Sequence, residues 1–352
     1  MDFALKGKAV DRPALAYQFF GGARHVLQAI GKNMRTVYGD PNLMASAQIT
    51  AAELFGHDSS MMPWGCLTIE AEAFGCRLDI HENYYPQVKS RPLEDSRNLE
   101  LLPTIDPGSS GRMPLVLEAL TRLRARADDD IYIVGMVVSP FLVAAELRTM
   151  TWLLTDFIGD PGYVEALMEK VTEGIRKYLE AMIQTGVCDA IMFENAGATG
   201  DLIGPHHLEQ FITPYHRKLV SAARKQDSSV TLIEHNCANK PYIDEILSGD
   251  VDAISFALGD GGGLNPLETW DNCKNHRFDD PNKAGRQMAC IGNVDHSQLV
   301  LNGTCEDVFG AARAVIERAQ GGPFCLSTGC EIPFKAPIEN IQALSKAAWA
   351  GF

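Results

Sequence analysis

Short runs of apolar and β-branched residues recur along the chain at 14–19, 59–62, 131–138, 188–193, 230–234, 251–256, 287–291 and 324–327. The runs are continuous in hydropathy rather than alternating, as expected for parallel strands buried on both faces. Most of the intervals between them carry a helical period. Asp160-Pro161 opens one helix, with Val164, Leu167, Met168, Val171, Ile175, Leu179 and Met182 on one face until Gly186. Pro205 opens a second, with Leu208, Phe211, Ile212 and Tyr215 on one side. A third spans Pro241 to Leu247 and stops at Gly249. Thr304-Cys305-Glu306-Asp307 has the form of a capping box ahead of Val308, Phe309, Ala312, Val315 and Ile316, and Pro337 starts a last helix through Ile341, Leu344 and Ala348.

Eight strands alternating with helices predict an α/β fold, a (β/α)8 TIM barrel. The less regular stretch before residue 130 is expected to hold extra N-terminal helices and a loop over the barrel mouth. An open doubly wound sheet is the competing architecture, but no glycine-rich dinucleotide fingerprint follows any strand. The chain of 352 residues is long for one domain, yet barrels reach this length, and 1–352 reads as a single domain.

Composition narrows the function. A net charge of -14 argues against nucleic-acid binding and against an anionic membrane surface. The most apolar stretch, 131–145, is broken by Ser139-Pro140 and is too short to span a bilayer. Residues 1–13 carry charges throughout and no secretory h-region. The nine cysteines are odd in number and form no repeating framework, so a reduced, cytoplasmic protein is expected.

In a barrel, chemistry sits where strands end. Those ends present Glu194-Asn195, Glu234-His235-Asn236-Cys237, Gly292-Asn293-Val294-Asp295 and Thr328-Gly329-Cys330-Glu331. His235 and Cys237 end the fifth strand and Cys330 the eighth, so the fold brings them to one mouth. Two thiolates and one imidazole make a three-ligand zinc site with a fourth position open. The competing account is two core cysteines and a satisfied histidine, which a set of three at two strand ends disfavours. Cys325 and the remaining cysteines read as core, with Cys273 in a polar loop as a reactive candidate. Glu194, Asn195 and Asn293 are candidate catalytic residues, against capping or turn roles. Tyr17, Gln18, Asp201 and Asp295 are candidate substrate contacts, with an N-cap competing at Asp201 and a turn at Asp295.

At these residues the sequence resembles the uroporphyrinogen decarboxylase superfamily. The closer likeness is to its zinc-dependent corrinoid methyltransferases, of the methylcobamide:coenzyme M type. The matching segments are Thr199-Gly200-Asp201-Leu202-Ile203, Pro214-Tyr215-His216-Arg217-Lys218, His235-Asn236-Cys237, Ile291-Gly292-Asn293-Val294-Asp295, Leu326 to Pro333, and Pro337-Ile338-Glu339-Asn340-Ile341. The resemblance implies Zn2+ on His235, Cys237 and Cys330. It also implies a corrinoid, a small-molecule methyl donor or acceptor, and a monomer or homodimer. The corrinoid is expected on a partner protein, since no Asp-x-His-x-x-Gly cobalamin motif occurs here. The decarboxylase Arg-Gln-Ala-Gly-Arg run is replaced by Gln18-Phe19-Phe20-Gly21-Gly22-Ala23-Arg24. Ser255-Phe256-Ala257-Leu258 stands where some relatives carry a carboxylate that completes the zinc shell, and 259–286 reads as an active-site loop. Two alternatives are kept open. One is cofactor-free decarboxylation of a tetrapyrrole, for which only Arg12, Arg24 and Arg35 offer cations near the first strand. The other is a corrinoid-protein docking barrel without turnover.

Overall fold

The computed structural model describes residues 1–352 except 9, 17–22, 64–66, 258–270, 272, 274, 277–285 and 351–352. Eight parallel strands form the barrel, and each expected run supplies one: β1 Ala14–Leu15, β2 Ser59–Met62, β5 Tyr132–Val138, β6 Ala190–Glu194, β7 Thr231–Asn236, β8 Ala253–Phe256, β9 Ala289–Val294 and β10 Phe324–Thr328. Their order is β1-β10-β9-β8-β7-β6-β5-β2. Among the described residues β1 and β2 share no ladder. Instead Asp58 N donates to Leu15 O at 2.8 Å, while the Asp58 carboxylate accepts from Leu15 N at 2.8 Å and from Arg12 at 2.6 and 2.8 Å.

Strand alternation sorts the core into two layers. Ala190, Met192, Ile233, Ala253, Ala289, Ile291 and Cys325 point inward and pack into a cluster inside the barrel. Ile191, Phe193, Leu232, Ile254, Cys290 and Leu326 point outward and join the larger cluster under the helices. Continuing the inward parity by one step reaches Glu194, His235, Ser255, Asn293 and Ser327, all buried. The barrel is therefore apolar through its middle and polar at the end where the strands finish.

The covering helices are α1 Asp2–Leu5, α2 Ala23–Ile30, α3 Met34–Val37, α4 Pro41–Phe55, α5 Ile69–Ala73, α6 Met113–Arg124, α7 Pro140–Arg148, α8 Met150–Gly159, α9 Pro161–Gln184, α10 Pro205–Phe211, α11 Thr213–Gln226 and α12 Ile243–Leu247, followed by α13 Cys305–Ala319 and α14 Ile338–Trp349. Helix α4 packs on β2 and α6 on β2 and β5, as the helices after the first two strands, while α1, α2, α3 and α5 are extra elements with an antiparallel hairpin of β3 Arg77–Asp79 and β4 Gln87–Ser90. Asp160 and Thr304 cap their helices as expected, the latter in a full capping box with Asp307. The single helix expected after Pro205 is two helices. Ile212 leaves the helical region at φ -120° and ψ -61°, and Thr213-Pro214 restarts the chain, because proline removes a donor and clashes with the preceding turn.

Candidate metal centre

Strand β7 ends by turning His235 into the barrel and running on to Cys237. The imidazole is fully buried. Its Nδ1 lies 2.8 Å from Ser255 Oγ, at the register position directly across on β8. Nε2 is left facing the mouth, 3.5 Å from Glu194 Oε2. Cys330 arrives from the far side. Gly329 N donates to Val294 O at 2.9 Å, and Thr328 Oγ1 donates to Cys330 O at 2.6 Å, which folds the end of β10 back over the opening. The donor atoms of His235, Cys237 and Cys330 lie within 4.8 Å of one another. Tetrahedral zinc, with Zn–S of about 2.3 Å and Zn–N of about 2.0 Å, needs donors about 3.5–3.8 Å apart. The separations therefore exceed what the ion needs by at most about 1 Å.

The electrostatics suit a cation. The hydrogen bond from Cys330 pulls the Cys237 thiol well down, burial opposes this, and His235 reinforces it. Cys330 is pushed up by that same bond, by burial and by the neighbouring thiolate. Burial works against a charged His235, but Glu194 and Cys237 outweigh it and hold the imidazole up at about 9. Three donors, a buried imidazole and two half-buried thiols, thus share protons, and a divalent ion can replace those protons. The residues present fit a zinc-type metal with one coordination position left over.

A family model described as uroporphyrinogen decarboxylase (URO-D) matches residues 3–350. The chain belongs to this family. Within it, the methylcobamide:CoM methyltransferase MtaA of Methanosarcina barkeri is 27% identical over 347 residues, covering 98% of this chain and 95% of that protein. The methylcobamide:CoM methyltransferase MtbA of Methanosarcina mazei is 27% identical over 350 residues, at 98% and 95% coverage. A solved structure of a methyltransferase from Methanosarcina mazei superposes with a TM-score of 0.82 at 26% identity, covering 99% of this chain and 96% of that one.

Two other residues of this URO-D barrel, Glu194 and Asn195, meet His235 directly. Glu194 accepts from Ala196 N through Oε1 at 3.1 Å, and burial raises its carboxyl to about 7 against the pull of His235. Asn195 N donates to His235 O at 2.9 Å. Asn293 is buried on the inward face of β9, beside Ser327 in register. Gly292 before it has φ 143°, and a Cβ there would stand 3.1 Å from Phe256 O, so only glycine fits. Asp201 pairs with Lys240 at 2.7 Å near the surface and caps no helix. Asp295 caps the helical turn His296–Leu301 by accepting from Ser297 and Gln298 N. Tyr17, Gln18 and most of 259–286 lie outside the described residues. Cys273, read as core with a reactive thiol as the alternative, is fully buried.

Sequence reasoning missed Ser255 and Glu331. The register of β7 on β8 is the signal that finds Ser255. Glu331 accepts from Tyr85, next to β4 of the N-terminal hairpin, and burial raises it to about 8 with Glu194 adding to the push. No pattern along the chain links residues 85 and 331.

Proposed function

We propose that this methyltransferase moves a methyl group between a corrinoid carried by a partner protein and a small molecule, at a zinc ion held by His235, Cys237 and Cys330. The observation that supports this is the convergence of one oriented imidazole and two cysteine sulfurs at the ends of β7 and β10. When bound, zinc lowers the pKa of a substrate thiol or polarises a methyl-bearing heteroatom, and the corrinoid cobalt gives or accepts the methyl. The chain's own groups do the rest. Ser255 holds the His235 tautomer, and Asn195 fixes its backbone. Glu194 and Asn293 place an acceptor and an amide donor on the pocket floor, where they orient the substrate. Coenzyme M or another thiol is the substrate class that the names of the relatives favour, with a methoxylated or methylated donor as the counterpart for the reverse direction. Asp201, Asp295, Tyr17 and Gln18 are proposed as substrate contacts.

Tetrapyrrole decarboxylation needs a basic mouth. Among the described residues no lysine or arginine pairs with Glu194 or Glu331. Arg12 is at the opposite end of the barrel, bonded to Asp58 and lying over the Trp349 ring.

The test is elemental analysis of purified wild type and Cys237→Ala, with an assay of cobamide alkylation and dealkylation. About one zinc per chain, lost in the variant together with methyl transfer, supports the proposal. Protein without zinc that neither alkylates nor dealkylates a cobamide sinks it.

A further inference from the structure

The residues on either side of His235 point out of the barrel, and both are buried and polar. Glu234 Oε2 lies 2.9 Å from His216 Nε2 on α11, and Glu234 Oε1 accepts from Asn195 Nδ2 at 2.8 Å. Asn236 Nδ2 donates to Asn195 O at 3.1 Å and to Ala198 O at 3.0 Å, while its Oδ1 accepts from Ala238 N at 3.1 Å. Asn195 N closes the circuit on His235 O. Every backbone unit carrying a metal donor on β7 is thus tied on its outer side. The His235 peptide is held through Asn195, and Cys237 sits between the two anchors of Asn236.

A buried carboxylate normally needs a charged partner, since removing its partner leaves an uncompensated charge. For Glu234 that partner comes from outside the barrel. The imidazole of His216 also meets the Phe193 ring edge-on at 5.3 Å between centroids, which fixes its plane.

We infer that His216, through Glu234 and Asn195, is a positioning residue for the metal: it sets the tilt of β7 at which His235 and Cys237 face Cys330. This rests on the zinc reading of the site. The network touches no metal donor atom; it acts on the strand from behind.

The same face of β7 borders a cavity of about 490 Å³, with His216, Glu234 and Asn236 in its wall beside the short helix α12. A small molecule can therefore reach the place of a deleted His216 side chain from solvent, and this supplies a test independent of activity. Zinc affinity is measured by chelator competition, and donor geometry by the thiolate-to-metal absorption of the Co2+-loaded protein, both well below the melting temperature. Loss of an outer partner of a metal ligand weakens metal binding by about 10- to 100-fold. Glu234 and His216 act further out, so a loss at the lower end of that range, about 10-fold, is expected in Glu234→Gln and His216→Phe, with an altered Co2+ spectrum. His216→Gln, whose amide still donates to Glu234, is expected to stay within a few-fold of wild type. In His216→Ala, millimolar imidazole is expected to restore the wild-type Co2+ spectrum while leaving the wild type's own spectrum unchanged. Folded Glu234→Gln and His216→Phe that bind zinc as tightly as wild type, with the same spectrum, overturn the inference. A His216→Ala spectrum that imidazole does not move also counts against it. A wild type that binds no zinc fails the underlying site reading instead, so the two failures are distinguishable.

Discussion

Ser255 Oγ stands 2.8 Å from Nδ1 of His235, one strand away at the same level of the barrel. That contact decides which ring nitrogen is left for the metal, because a nitrogen engaged with a hydroxyl is not available as a donor. Ser255→Ala is expected to weaken zinc about 10-fold or more while the fold persists. Chelator competition on the folded variant checks this, and an unchanged dissociation constant shows that packing alone orients the ring.

Metal removal should be felt by the whole molecule. His235 lies on β7, Cys237 just follows it and Cys330 follows β10, with β8 and β9 between them, so an ion there ties together two separate parts of the barrel. Binding to the folded state alone adds about 4 kcal/mol when free metal is 1,000 times its dissociation constant. Thermal melts with and without chelator should differ clearly for wild type. They should coincide for Cys330→Ala, and a persisting difference would place the ion elsewhere.

Two buried groups away from the donors each contribute a pH dependence of stability with a definite sign. Burial lowers His57 from 6.5 to about 3, so between those values only the unfolded chain binds the proton. Stability then falls as pH drops from 6.5, by up to about 1.4 kcal/mol per unit. Burial raises Glu70 from 4.5 to about 7, although its bond from Val138 N at 2.9 Å works the other way. Here the unfolded chain releases its proton first, so stability contributed below pH 4.5 is lost as pH rises toward 7. Glu70→Gln keeps an acceptor for Val138 and should be more stable relative to wild type at pH 8 than at pH 4. Denaturant melts at the two pH values decide, and an equal difference at both removes Glu70 from this account.

Gly174 sits inside α9, where alanine would ordinarily help a helix by about 1 kcal/mol. Its added Cβ would stand 2.4 Å from Phe74 Cζ and 2.7 Å from Ile105 Cγ1. Overpacking of this kind costs about 1–3 kcal/mol, so Gly174→Ala should lower the midpoint of unfolding rather than raise it. A stabilised variant would show that the aromatic ring yields without cost.

The barrel was readable because its strands are buried on both faces and therefore apolar without interruption, and because Pro161, Thr304 and Pro337 mark helix starts locally. The break at Ile212 was less visible, since the apolar face continues through it and only Pro214 hints at a restart. His235, Cys237 and Cys330 could be placed together because the fold puts all strand ends at one mouth. Ser255 and Glu331 escaped for a common reason: each acts across strands or across the N-terminal hairpin, and nothing in the local pattern records a partner that distant. Cys273 is buried despite polar neighbours in sequence, in keeping with its core reading over the reactive one.

The ring of strands has one joint of a different kind. Seven neighbouring pairs hold the eight strands in order, and from Leu15 to Asp58 a single carboxylate and one backbone bond do the joining among the described residues. Strand β10, which leads to Cys330, lies next to one lip of that joint; His235 and Cys237 are reached from the other lip through β2, β5 and β6. One aspartate, at the end of the barrel away from the donors, thus joins β1 to the start of β2 among the described residues.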